Sequence, residues 1–250
     1  MGRGRRWAVA ACAVGVACVG AESQAGLIID DFTVGPVVLT DTTGASGPSI
    51  ESVVQTGLDT SAVAAGGRYI QFNAIDPFPF GDIGSVTVEV DASSQGVLRH
   101  SPDLGLTAAN FFVRYGDRDS GLEAISLDLL AGGADRIVID FAFASDLTGS
   151  FGGMLGFDFV LTSESAFFRA FPRFNTSAMA FRVELLFADI LASSPGLDLQ
   201  AIDLIELGSS NGTLGGNFEI TAIRTTPEPG AASIALAMAG MTVTRRQRSA

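Results

Sequence analysis

Between residues 27 and 225, apolar and polar side chains alternate with period two in one short run after another. LIIDDFTV opens the series; GGRYIQFNA, GSVTVEVDA, ANFFVRYG, RIVIDFAFA, MLGFDFVLTS, MAFRVELLF, LQAIDLIEL and NFEITAIRT continue it. In SVTVEVD, Val86, Val88 and Val90 share one face while Thr87, Glu89 and Asp91 take the other. In RIVIDFAF, Ile137, Ile139, Phe141 and Phe143 alternate with Val138, Asp140 and Ala142. Successive side chains of a strand point to opposite faces, so this alternation buries one set and solvates the other. Clusters of Gly, Asp, Ser and Pro such as DTTGASGPS, DPFPFGD and GSSNGTLGG separate the runs. About nine or ten short strands, with helical turns only at LDLLAGG and FADILAS, predict an all-β, antiparallel β-sandwich of jelly-roll type. No fixed-period repeat and no internal linker divides it, so residues 26–225 read as one domain.

The two ends do not fit the strand pattern. MGRGRRW is a basic n-region, AVAACAVGVACVGA an apolar stretch, and ESQAG a small-residue cleavage site. Residues 1–25 therefore read as a secretory signal peptide, cut between Ala25 and Gly26. An uncleaved anchor is the alternative, but the run falls short of the ~20 residues of a typical span. Cys12 and Cys18 both lie in this segment, so the exported chain has no cysteine and depends on core burial, with a bound ion as a possible addition.

Charge sharpens the picture. The 15 basic residues are all arginine, and six of them sit at the two ends. Residues 26–226 keep 9 arginines against 25 carboxylates, a balance of −16. Such an acidic field excludes nucleic acid as a partner, because phosphate contacts need a basic face.

Candidate chemistry is sparse. His100 is the single histidine and falls at a strand end or turn in QGVLRHSPD, with no sequence sign of an orienting partner or nucleophile. Without lysine or mature cysteine there is no Schiff base, thiol nucleophile or thiolate zinc site. Paired carboxylates for a hydrolase stay open as an alternative, but most of the Asp residues belong to turns and solvated strand faces. Asp30 and Asp31 are adjacent in the first strand, so one of them must point inward, where it needs a cation, Arg224 or backbone amides. Asp117, Asp119 and Glu123 approach a calcium-loop spacing, but Gly121 stands where a ligand belongs. Asn175 and Asn211 fit glycosylation sequons. Sugar-stacking faces need exposed aromatics; the exported chain has only Tyr69 and Tyr115 besides its phenylalanines, which are expected in the core.

The chain closes with Pro227, Glu228 and Pro229, an apolar run over 230–244, and Arg245, Arg246 and Arg248. The order of parts resembles the PEP-CTERM sorting signal of exported bacterial proteins, here residues 226–250. That resemblance implies an exosortase-type membrane protease as processing partner, alongside signal peptidase. It implies transient membrane association through the C-terminal helix, then a cell-surface or extracellular location with exopolysaccharide or biofilm. Fifteen helical residues span only about 22 Å, short of a ~30 Å hydrocarbon core, which suits a temporary tether. IIDDF, GGRYIQF, LDLLAGGAD and FEITAIRT look like secreted PEP-CTERM proteins with a jelly-roll, galactose-binding-like sandwich. Such sandwiches hold a structural Ca²⁺ between first and last strands, which the resemblance carries onto Asp31 and Glu219; no other cofactor is implied, and no enzymatic activity. The expected function is a non-enzymatic surface or matrix protein, with a carbohydrate-binding module as the alternative and a carboxylate hydrolase behind it.

Overall fold

The structure, a computed structural model, describes residues 26–41, 49–75, 86–93, 95–102, 108–116, 121–146, 154–164, 166–208 and 216–227. Residues 1–25, residues 117–120, Asn211, and everything from Glu228 onward (Pro229, residues 230–244, Arg245, Arg246 and Arg248 included), on which the expected signal peptide, calcium-loop spacing, second sequon and sorting signal fall, lie outside them.

In chain order the strands are β1 (Ile28–Asp30), β2 (Val37–Asp41), β3 (Ser49–Thr56), β4 (Gly67–Ile75), β5 (Val86–Asp91), β6 (Val97–Pro102), β7 (Ala108–Tyr115) and β8 (Arg136–Asp146). They continue with β9 (Met154–Gly156), β10 (Asp158–Ser163), β11 (Ala166–Ala170), β12 (Arg173–Asn175), β13 (Phe181–Leu186), β14 (Ile202–Gly208) and β15 (Gly216–Thr226). The helix α1 (Phe187–Ser193) and a 3₁₀ turn at Ala131–Gly133 fall in FADILAS and LDLLAGG, as the sequence predicts.

One sheet runs β13-β8-β15-β6-β5-β2, with β1 also on β15; the other runs β11-β10-β14-β7-β4-β3. Every pairing is antiparallel. The chain changes sheet between β2 and β3, β4 and β5, β6 and β7, β7 and β8, β8 and β10, β11 and β13, β13 and β14, and β14 and β15. This alternation between two layers is the jelly-roll habit. The short β9–β12 pair prolongs the β10–β11 hairpin beyond Phe157 and Pro172, whose backbones bond each other.

The core lies between the two sheets. Ile137, Ile139 and Phe141 of β8 and Phe218, Ile220 and Ile223 of β15 cluster with Phe111 and Val113 of β7, Phe159 and Leu161 of β10, and Ile205 and Leu207 of β14. β5 follows its sequence pattern, with Val86, Val88 and Val90 buried. β8 does not keep its phase. Its register with β15 shifts twice, leaving Ala142 extra on one strand and Thr221 extra on the other. Such bulges turn the following side chains over. Ala144, not Phe143, is therefore buried beyond the bulge, a correction to the strict alternation expected there.

Candidate functional site

Of the adjacent acids in β1, Asp30 is the inward one, and it is wholly buried. Its cation is Arg68 of β4, also wholly buried, not Arg224. Arg68 Nη1 donates to both Asp30 oxygens, at 2.9 and 2.7 Å. Tyr115 of β7 donates its hydroxyl to Oδ2 at 2.9 Å, and the Phe32 N–H donates to Oδ1 at 2.7 Å. Arg68 spends its remaining donors on Gln55 Oε1 and on the carbonyls of Val34 and Gly35. Phe32 adopts φ +57°, uncommon for a residue with a side chain, and this conformation is held by the Asp30 turn bond and the buried Phe32 ring. Burial pushes the Asp30 carboxyl up, against the pull of Arg68 and its other donors. A fully satisfied pair of this kind pins β1, of one sheet, to β4 and β7 of the other. It also removes Tyr115 from any sugar-stacking role, since its ring is in the core.

The other sequence candidates are dispersed. Asp31 turns outward and accepts from the Thr33 N–H and hydroxyl. Glu219 accepts from Arg99 Nε at 2.7 Å, and Arg99 also holds Glu89. No group of three or more His, Cys, Asp or Glu among the described residues is arranged to hold a metal ion. Arg224 and Arg182 converge on Asp140. The outer face of the seven-stranded sheet is thus laced with ion pairs between neighbouring strands.

His100 lies within β6, not in a turn, and is buried. It stacks on Phe218 at 5.0 Å, and its Nδ1 lies 2.7 Å from the Gly216 carbonyl, which fixes the proton on that nitrogen. Nε2 has no partner among the described residues, and burial lowers the imidazole to about 4. It is a neutral core residue.

The outer face of the six-stranded sheet is built differently. One register row crosses all six strands: Val54, Tyr69, Arg114, Glu206, Val160 and Arg169. Six strands at ~4.8 Å spacing make the row about 24 Å long. Beside it run Ser52, Gln71, Phe112, Gly208 and Asp158. The Arg114 guanidinium is 5.8 Å from the Tyr69 ring and 5.4 Å from the Phe112 ring, and it bonds Glu206. Gly208 makes room for Phe112: a Cβ there would come within 2.4 Å of its ring. On the edge strand β11, Phe167 and Arg169 share this face, and Phe171 just beyond the strand continues it. Phe167 is 67% and Phe171 53% exposed, so the expectation that phenylalanine belongs to the core fails at these two positions. Arg169 stands 4.9 Å from the Phe171 ring and is tied through Nε and Nη2 to the buried Asp158.

Cavities add little. One of about 290 Å³, lined by Thr56, Gly67, Gly116 and Leu122 among others, has a single carboxylate, Glu123. A shallower one by Phe143 and Ser177 has none.

Fold and surface define an antiparallel sandwich with one charged and one aromatic-polar sheet face. No protein-family model matches the chain, and no curated protein does. Among solved structures it is similar to a family 11 carbohydrate-binding module from Clostridium thermocellum in complex with a β-1,3-1,4-mixed-linked tetrasaccharide. Identity there is 13% over 81% of this chain and 96% of that one, with a TM-score of 0.38. The family 11 module of a cellulosomal cellulase from the same organism follows at 11%, 80%, 93% and 0.37. An exo-β-agarase matches at 11% identity over 63% of this chain and 24% of its own, with a TM-score of 0.39. Overlap at this level carries no argument, and function has to be read from the chain's own residues.

Proposed function

We propose that this protein is an exported, non-enzymatic β-sandwich that binds a carbohydrate polymer on the outer face of its six-stranded sheet. The observation that carries the reading is the pair of exposed rings, Phe167 and Phe171, flanking Arg169 on an edge strand. Exposed apolar patches in soluble domains mark interaction sites. A flat ring matches the C–H face of a pyranose, and the neighbouring guanidinium, Gln71 amide and Tyr69 hydroxyl match sugar hydroxyls. A row about 24 Å long suits a polymer better than a single sugar. Retardation of the folded protein in polysaccharide gels, lost in Phe167→Ala/Phe171→Ala, is the expected result. Equal mobility of wild type and variant across a broad panel refutes the reading.

Export completes the proposal. The basic n-region, the apolar stretch and the small residues before Gly26 support signal-peptide cleavage. Pro227-Glu228-Pro229 with the apolar run and Arg245, Arg246 and Arg248 support sorting by an exosortase-type protease and delivery to the surface or its exopolysaccharide. Intact-mass measurement of surface material should find a chain starting at Gly26 and lacking the arginine tail. Recovery of the tail refutes processing.

A further inference from the structure

We infer that the polymer recognised by the six-stranded sheet is an uncharged glycan, with Arg169 serving as a hydrogen-bond donor rather than as a countercharge. This rests on the carbohydrate-binding reading and adds the chemical class of the ligand. Each arginine on the face already has its carboxylate: Arg114 bonds Glu206 and Arg169 bonds Asp158. The face is therefore neutral as a unit. Around it the domain carries 25 carboxylates against 9 arginines, a field that repels a polyanion over roughly a Debye length. A polycation is drawn to the domain as a whole but finds no unpaired carboxylate on this face, since Glu206 and Asp158 are already bonded to its arginines.

The geometry of Arg169 supports the donor role. The Asp158 carboxylate, with 2% of its side chain exposed, holds the guanidinium by Nε and Nη2. Nη1 has no partner among the described residues, and half of the Arg169 side chain is open to solvent. Held on one side and lying near Phe171, the group offers fixed donors beside an apolar ring face. That combination suits the hydroxyls and C–H surface of a neutral sugar. The polar groups at the other end of the face, Ser52 of β3 and Gln71 and the Tyr69 hydroxyl of β4, are neutral too.

The test is affinity electrophoresis of the exported, folded protein. The gels contain lichenan, laminarin, xylan or glucomannan as neutral probes, alginate or polygalacturonate as acidic ones, and chitosan as the cationic one. At least one neutral glycan should retard the protein, with a dissociation constant changing by less than about twofold between roughly 0.05 and 0.5 M NaCl. Arg169→Gln also weakens the hold on the buried Asp158 and so lowers the melting temperature; at a temperature where the variant is fully folded it should weaken that binding about tenfold, a loss of the size expected for a charge-assisted hydrogen bond. Asp158→Asn, which leaves Arg169 without its countercharge, should gain salt-sensitive retardation by alginate; if it fails to fold, Arg169→Gln alone decides. Wild-type binding to alginate, polygalacturonate or chitosan that collapses with salt overturns the neutral-ligand inference while leaving carbohydrate binding intact. Absence of retardation by every probe removes both.

Discussion

Replacing Arg68 by methionine strips the buried Asp30 carboxylate of its cation. Both side chains are wholly buried, so no water is at hand to substitute. Removal of one member of such a pair costs about 3–5 kcal/mol, because the other charge is left uncompensated. Two donors to Asp30, the Phe32 N–H and the Tyr115 hydroxyl, survive, which favours the lower half of that range. For a domain of this size the loss amounts to roughly 6–20 °C in melting temperature. Urea unfolding is the assay: the midpoint should fall at constant m-value. The defect has a pH signature. In the variant, burial acts on Asp30 without Arg68 to oppose it, so the folded pKa lies above the unfolded 3.8. The folded state then binds the extra proton, and the defect shrinks as the pH is lowered through that window and grows as it is raised. A double replacement, Asp30→Asn with Arg68→Met, should cost less than the sum of the singles by at least about 1 kcal/mol. A midpoint shift below about 1 kcal/mol, or strict additivity, would show that the pair is not what ties β1 to the second sheet.

His100 predicts acid sensitivity in a different window. Its folded pKa of about 4 lies below the ordinary 6.5, so the unfolded chain binds more protons between the two values. Stability should be full above pH 6.5 and fall by up to about 3 kcal/mol toward pH 4, and His100→Phe should flatten that slope in urea titrations; an equal slope in both proteins refutes the buried neutral assignment. Gly208→Ala would bring a Cβ to 2.4 Å from both the Phe111 carbonyl oxygen and the Phe112 ring, and should destabilise by about 1–3 kcal/mol or more, measured by thermal denaturation; a neutral result would mean that neither lies over the glycine. Because Asp31 is bonded by Thr33 and Glu219 by Arg99, the melting temperature should be the same in excess Ca²⁺ and in chelator, and a rise of several degrees with Ca²⁺ would show that the ion binds despite these partners.

Periodicity made much of the sandwich legible. β5 and both short helical elements lie where the pattern puts them. β2, β3, β6 and β11 escape notice because they are edge strands or carry polar residues on the half-solvated face, and alternation is the wrong guide there. The phase of β8 is lost at Ala142, since a bulge depends on the partner strand and leaves no mark in its own sequence. At Asp30 and Asp31 the reading requires one inward acid without saying which; a backbone amide among its expected partners is there in the Phe32 N–H, but the cation is Arg68, not Arg224. Arg68 stands in phase with Ile70 and Phe72, so parity alone would have put it in the core. Parity likewise groups Tyr115 with Phe111 and Val113. The aromatic edge is harder: Phe167 and Phe168 are consecutive, and only one can face the core. Composition does not say which; the pairing of β11 with β10 does.

The closure of β1 onto β15 bears on the order in which the chain can fold. The Thr225 N–H donates to the Leu27 carbonyl and the Leu27 N–H donates to the Thr225 hydroxyl, across a separation of 198 residues. The first strand bonds Ala62 and Ala64 early, but it finds its sheet neighbour β15 only when nearly the last residue of the domain has arrived. Pairings so distant along the chain make folding slow, because the loop must close before the contact stabilises anything. On the proposed export route, with the chain threaded N-terminus first, the leading strand emerges before β15 does. On that route the sandwich is complete only once β15 has arrived, whereas the buried Asp30 can meet Arg68 and Tyr115 as soon as β7 is present.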